Sequence, residues 1–107
     1  MALLSDRNFE QDTKNGVCVV KFCSLWSMDS RAFEQQFREL SEEFRGSVKF
    51  MLSDVNANQM LAKKQGITVV PTVVIYVNGS PVERITGLTK RHLKERIAYF
   101  LKKTEGL

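Results

Sequence analysis

The chain has 107 residues, of which 43% are hydrophobic and 26% charged, and its formal net charge is +4. This length predicts one domain over residues 1–107 with a modest core, and the balance of apolar and charged residues argues against intrinsic disorder. No apolar run approaches the roughly 20 residues that span a bilayer, and the N-terminus lacks the basic and apolar segments of a signal peptide. We therefore expect a cytoplasmic protein that makes no membrane contact.

Strands and helices alternate through the first two thirds of the chain. Residues 17–23, VCVVKFC, are mostly β-branched or apolar and carry one charge, which is typical of a central strand buried on both faces. Apolar side chains fall on one helical stripe from Phe33 to Phe44, which indicates a helix packed against the sheet. In chain order we predict a strand at 3–4, a helix capped by Ser5 or Asp6, anchored by a buried Phe9 and ending at 15–16, a strand at 17–23, a helix at 28–45, a strand at 48–53 and a short helix at 59–65.

A hairpin and a terminal helix complete the predicted fold. Thr72–Val77 is a strong strand, Asn78–Gly79 marks a tight turn, and a second strand returns through Ile85. Pro81 places that returning strand at an edge of the sheet. Thr89 then caps a helix whose buried face carries Leu93, Ile97 and Leu101. The order of elements predicts an α/β fold with a central mixed β-sheet flanked by helices on both faces.

The basic excess is concentrated in this last helix, at residues 90–96 and 102–103. No interleaved aromatic residues and no glycine-rich loop accompany it, so we interpret these residues as a solvated helix face. We expect no nucleic-acid partner. A structural adaptor that binds through this helix is a further alternative, which we favour least because the helix already has a core-facing side.

The two cysteines, Cys18 and Cys23, both lie in the strand at 17–23. Their separation of five residues places them on opposite faces, so we expect them not to pair with each other. Two cysteines form neither a disulfide framework nor a zinc set, and we expect no metal and no cofactor. We interpret both as small core residues. Cys23 is the better candidate for a functional thiol, which without a partner could only be glutathionylated or form an intermolecular bond.

No other side chains suggest a catalytic site. His92, the single histidine, lies among basic residues of the last helix, and we expect its side chain to be exposed to solvent. Ser27 has no G-x-S-x-G context, and Asp29 and Asp54 do not form a credible acid–base pair.

Five short segments, in the right order and at the right spacing, resemble the thioredoxin family over nearly the whole chain. The segments are Val19–Phe22 followed by Trp26–Ser30, where the family carries W-C-G-P-C; Ser53–Asn56, similar to "xVDxD/N"; Gly66–Thr72, similar to "GIxxxPT" with a cis-proline; Asn78–Gly79; and Gly87. The resemblance implies the thioredoxin fold. It also implies a site for a protein or peptide partner, formed by Trp26, Met28, Asp29, Val70, Pro71 and Gly87.

The chain departs from this family at the residues that carry its chemistry. In the family, a cysteine at an exposed helix N-terminus becomes a low-pKa thiolate, and a second cysteine three residues later resolves the mixed disulfide. Here both positions are serine, Ser27 and Ser30. A hydroxyl ionises far above a thiol and cannot form a reversible disulfide, so this pair cannot perform dithiol–disulfide exchange. Lys21 replaces the family's buried aspartate, and we expect its side chain to extend to the surface.

Two hypotheses remain open. In the first, the serines are natural, and the domain is a non-redox binding or scaffold module linked to cell redox homeostasis. It then resembles the N-terminal thioredoxin-like domain of multidomain monothiol glutaredoxins, whose "KIDRLDGA" segment is similar to Pro81–Leu88, and its partner is a downstream glutaredoxin domain. In the second, Ser27 and Ser30 replace the cysteines of a C-M-D-C motif. The parent is then a cytosolic thioredoxin, a protein-disulfide oxidoreductase served by a thioredoxin reductase.

Overall fold

The computed structural model describes residues 1–25 and 28–105, with the backbone alone at positions 29 and 30. Its strands are β1 (Ala2–Leu3), β2 (Val17–Cys23), β3 (Val48–Asp54), β4 (Thr72–Val77) and β5 (Ser80–Ile85). Its helices are α1 (Phe9–Thr13), α2 (Met28–Arg31), α3 (Glu34–Glu43), α4 (Gln59–Lys64) and α5 (Lys90–Glu105). None of the helices in this part of the chain is long and apolar enough to cross a membrane.

In the described residues the strands form a five-stranded mixed sheet in the order β1-β3-β2-β4-β5. β3 runs parallel to both β1 and β2, whereas β4 runs antiparallel to both β2 and β5. The α/β fold predicted from the sequence, a mixed sheet flanked by helices on both faces, is confirmed. β5 occupies an edge of the sheet, as the position of Pro81 predicted.

All seven residues of β2 are buried, and its side chains divide the core into two layers. Val17 and Val19 pack with residues of α3 and α5, such as Phe37 and Ile97. The alternate side chains pack on the opposite face, in a cluster of Leu4, Cys18, Val20, Phe22, Met51, Leu61, Val74 and Tyr76. Each fully buried large apolar side chain contributes about 1.5–3 kcal/mol, so β2 stabilises both layers together.

The helix predicted over residues 28–45 is two helices rather than one. α2 ends at Arg31 and α3 begins at Glu34, and the backbone at Phe33 adopts φ −101° and ψ 5°. This break turns the Phe33 side chain into the core, where it is 6% exposed, beside Phe37 and Leu40. The apolar stripe was therefore predicted correctly, while the continuity of the helix was not.

The first helix also differs from its prediction. α1 begins at Phe9, and neither Ser5 nor Asp6 caps it. Instead, the Asp6 carboxylate accepts a hydrogen bond of 2.7 Å from the backbone N–H of Leu61, in the first turn of α4. Phe9 is half-buried rather than fully buried, and its ring meets Tyr76 edge-on at 5.3 Å between centroids.

The C-terminal third follows the prediction closely. Asn78 and Gly79 both have positive φ, 50° and 87°, which is the geometry of a tight hairpin turn. The Thr89 hydroxyl accepts a hydrogen bond from the His92 N–H, as expected of a helix cap. On α5, Leu93 and Ile97 are fully buried and Leu101 is half-buried. Phe100, which the prediction omitted, is buried with them.

We predict that Asp6→Ala destabilises the fold by about 1 kcal/mol, because it leaves an N–H of α4 without its acceptor. Asp6→Asn is the matched control, since an amide oxygen at the same position can still accept this hydrogen bond. Urea denaturation of the three proteins measures the effect. Equal losses for the alanine and asparagine variants would show that the carboxylate does not act as a cap.

Candidate functional site

The candidate site lies at one end of the sheet, where the ends of three strands meet. Phe22 is in register with Thr72 of the antiparallel β4, and Cys23 is in register with Asp54 of the parallel β3. The carboxyl ends of β2 and β3 therefore meet the amino end of β4. Consequently, the turn after β2, at Ser24 and Leu25, starts beside the loop that precedes Thr72.

The loop before β4 contains a cis peptide bond between Val70 and Pro71. The hydroxyl of Thr72 donates a hydrogen bond of 2.7 Å to the carbonyl of Val69, which closes the loop onto the start of the strand. Val70 and Pro71 are half-buried, whereas Val69 is 54% exposed. Because Ile85 is in register with Val73, the chain reaches this same end of the sheet just after β5, near Gly87.

At the same end of the sheet, the loop after β3 is hydrogen-bonded to the end of β2. The backbone N–H of Val55 donates to the carbonyl of Cys23 at 2.9 Å, and the Asn56 amide donates to the Ser24 hydroxyl at 2.9 Å. Asp54 accepts from the Asn56 N–H through its own carboxylate at 3.1 Å. These bonds fix the point at which the chain leaves the sheet for α2.

Several of the predicted site residues cannot be placed. Trp26 and Ser27 lie outside the described residues, and of Asp29 and Ser30 only the helical backbone in α2 is described. Met28 opens α2 with a side chain that is 82% exposed, and Leu25 is 59% exposed. We refer to Leu25, Met28 and Val69 as the corner residues. Val69 was missed from the sequence, because a valine among loop residues carries no sign of its exposure.

Both cysteines are free and buried, as the sequence predicted. Cys18 lies against the Met51 sulfur at 3.7 Å, and the Cys23 thiol contacts the carbonyl of Ser53 at 3.8 Å. Burial raises the pKa of the Cys18 thiol to about 11. Burial also raises the pKa of the Cys23 thiol, and the nearby Lys21 partly opposes this second shift. Both thiols are therefore held in their less nucleophilic, protonated form at neutral pH.

The prediction that Lys21 reaches the surface is wrong, because the residue is only 2% exposed. α3 covers the face of β2 that carries Lys21, and its Phe37 ring centroid lies 5.8 Å from the ammonium. Burial lowers the pKa of Lys21, while Cys23 and Glu34 act in the opposite direction. The sequence signal for this site was a lone charge within an otherwise apolar strand.

The remaining polar candidates do not form a reactive cluster. His92 is exposed on α5, and Asp54 is engaged with the loop after β3. Among residues 1–25 and 28–105, excluding the side chains at 29 and 30, no group of three or more histidine, cysteine, aspartate or glutamate residues could hold a metal ion.

Comparison with known proteins gives one consistent result. The thioredoxin family model matches residues 1–102. The thioredoxins of Staphylococcus haemolyticus and Staphylococcus saprophyticus are 27% and 26% identical to the chain over 100 residues, covering 94% of this chain and 93% of each relative. A chain from a structural study of the thiol resolving mechanism in yeast mitochondrial 1-Cys peroxiredoxin via glutathione/thioredoxin systems superposes with a TM-score of 0.85. That chain is 24% identical, with 92% of this chain and 94% of the other covered, a likeness of fold alone.

We predict that Lys21→Met raises the free energy of unfolding at pH 7 by about 1 kcal/mol, because methionine fills the same space without burying a charge. The pKa of Lys21 is lowered from its ordinary value of 10.5, so the cost of the charged amine is complete below the folded pKa. That cost decreases as the pH rises above the folded pKa and is gone above 10.5, the ordinary pKa that the amine has in the unfolded chain.

The advantage of methionine should therefore shrink toward pH 10.5, although Cys23, Glu34 and the nearby Arg31 and Arg38 also face this region. Urea denaturation at several pH values measures it. Lys63→Met, which removes an exposed lysine from α4, is the control. A buried charge that is well compensated would instead make Lys21→Met destabilising at every pH.

Proposed function

The chain belongs to the thioredoxin family, and from this membership we propose that it is a thioredoxin-like domain that binds a protein or peptide partner without dithiol–disulfide exchange. In this proposal the domain acts in cell redox homeostasis as a binding or scaffold module in the cytoplasm. The observation that carries the proposal is the residue type at two positions, Ser27 and Ser30.

The chemical argument does not depend on where those two side chains lie. Disulfide exchange requires a thiolate that attacks a sulfur atom and a second thiol that resolves the mixed disulfide. Serine supplies neither, since its hydroxyl stays protonated and an oxygen–sulfur bond is not exchanged in the same way. The family's Gly-Pro pair is also replaced, by Met28 and Asp29, and its buried aspartate by Lys21. Several parts of the redox machinery have therefore changed together.

The two cysteines that the chain does contain support the same proposal. They lie on opposite faces of β2, so they cannot form a disulfide with each other. Both thiols are buried, and burial raises the pKa of each. A redox role for Cys23 would need a second thiol from another molecule to reach a side chain that is 4% exposed.

The corner residues support a binding role. Leu25, Met28 and Val69 expose apolar side chains near the end of the sheet where Pro71 lies. Exposed apolar side chains grouped at one edge are typical of a surface that meets another protein. In the proposed complex a partner segment lies over Trp26 and the Val70–Pro71 loop, with Met28, Asp29 and Gly87 at its borders.

Under this first proposal the partner is a downstream glutaredoxin domain. The support is the similarity of Pro81–Leu88 to the corresponding segment of the N-terminal domains of monothiol glutaredoxins. These residues form most of β5 and the turn that follows it.

A second candidate function is that of a thioredoxin in which Ser27 and Ser30 stand in place of cysteines. The observation that favours it is the set of curated relatives, which are named thioredoxin and are matched over 93% of their length. In that reading the parent protein is a protein-disulfide oxidoreductase, and a thioredoxin reductase is its partner.

Insulin reduction by dithiothreitol separates the two functions. We expect the chain itself not to accelerate the reaction, because Ser27 and Ser30 carry no thiol. We also expect the Ser27→Cys/Ser30→Cys double variant to remain nearly inactive, since Lys21 and the Met28–Asp29 pair are unsuited to proton transfer and thiolate stabilisation. Rapid turnover by the double variant would favour the second function, and turnover by the unaltered chain would contradict the proposal outright.

The binding role is tested by placing a charged side chain among the corner residues. We predict that Met28→Asp abolishes retention of partner proteins in a quantitative pull-down, because a carboxylate replaces a methionine that is 82% exposed at the proposed interface. Met60→Asp is the matched control, as Met60 is 66% exposed on α4 and lines a groove beside Phe9 of α1. If both variants retain the same proteins as the unaltered chain, the corner is not the binding surface.

A further inference from the structure

Lys21 lines two neighbouring cavities. One cavity, of about 260 Å³, opens beside Ser24 and Leu25, and the other, of about 510 Å³, lies between α3 and β3. Lys21, Glu34 and Leu52 line both. A residue that is 2% exposed thus borders space that a ligand can fill.

This buried charge has no counter-ion in the described part of the chain. No carboxylate there lies within 4.0 Å of its nitrogen, and the carboxylate of Glu34 instead pairs with Arg38 at 3.6 Å. The Phe37 ring, at 5.8 Å, compensates the charge only in part. Because an unpaired buried ammonium is costly, an anion that reached it would remove that cost.

The walls of the smaller cavity indicate which kind of anion fits. Leu25, Leu52 and Cys23 provide an apolar surface, and the exposed Arg31 adds a second cation to the lining. Glu34 places a negative charge in the same lining, which disfavours a compact dianion such as phosphate. An anion with one charge and a hydrocarbon body matches both the apolar and the cationic parts of this lining.

We propose that this cavity binds a small organic monocarboxylic acid, with its carboxylate on the Lys21 ammonium and its hydrocarbon chain against Leu25, Leu52 and Cys23. A hydrogen bond to the charged, buried Lys21 gives most of the affinity, and the apolar wall selects for chain length. Arg31 contributes less, because its guanidinium is exposed to water. The proposal concerns the cavity behind the corner and does not depend on whether the serines are redox-inactive.

Hexanoate is the probe, added to the unaltered full chain at pH 7 in an NMR titration of the backbone amides. We expect saturable shifts at Lys21, Cys23 and Leu52. Lys21→Met should weaken binding about tenfold or more, whereas Lys63→Met should leave it unchanged. The amide spectrum of Lys21→Met shows directly whether the variant is folded, so loss of binding can be separated from unfolding.

Three comparison ligands separate carboxylate recognition from other causes. Acetate, which lacks the hydrocarbon body, and hexan-1-ol, which lacks the charge, should both bind more weakly than hexanoate, and inorganic phosphate should not compete with it. The proposal is overturned if hexanoate gives no saturable shifts, if Lys21→Met binds it as tightly as the unaltered chain, or if hexanol or phosphate binds equally well.

Discussion

The structure depends on the pairing of β2 with β3 on one side and with β4 on the other. This strand is hydrogen-bonded along both edges and buried on both faces, so each of its side chains must fit one of two apolar layers. The same pairing fixes where its carboxyl end lies relative to Thr72 and Asp54. The turn after β2, the cis-proline loop and the loop after β3 consequently meet at one end of the sheet, where hydrogen bonds from Val55 and Asn56 hold the chain after β2.

The serines and Lys21 affect this scaffold in different ways. Ser27 and Ser30 bear on the chemistry that the chain can perform, because a hydroxyl does not take part in disulfide exchange. Placing an ammonium in the layer between β2 and α3 changes the electrostatics of the interior, where a charge is expensive. The Phe37 ring lies 5.8 Å from the Lys21 ammonium, and the residue borders two cavities.

Local patterns in the sequence were sufficient for most of the fold. The apolar run at 17–23, the Asn78–Gly79 turn and the Thr89 cap each encode their structure within a few residues, and all three were predicted correctly. The break at Phe33 was not predictable, since no proline or glycine marks it and tertiary burial of the ring decides it. The bond from Asp6 to α4 joins residues 55 positions apart, and propensity carries no information at that range.

The site was predictable to a smaller extent. The resemblance to the thioredoxin family pointed to the chain after β2 and to the Val70–Pro71 loop. The burial of Lys21, in contrast, depends on how α3 covers the sheet, which no pattern within β2 reveals. A lysine on a strand can extend outward or be enclosed, and only the packing of Phe37 distinguishes the two outcomes. The exposure of Val69 likewise follows from the shape of its loop rather than from its residue type.

The edges of the sheet have a consequence for the behaviour of the protein at high concentration. β1 contributes only two residues to one border, and β5 carries Pro81, which has no N–H, together with the charged pair Glu83 and Arg84 at the other. Neither border of the described sheet offers a long, uninterrupted row of backbone donors to a second copy. The fold is therefore protected against strand-to-strand self-association and the growth of fibrils from its edges.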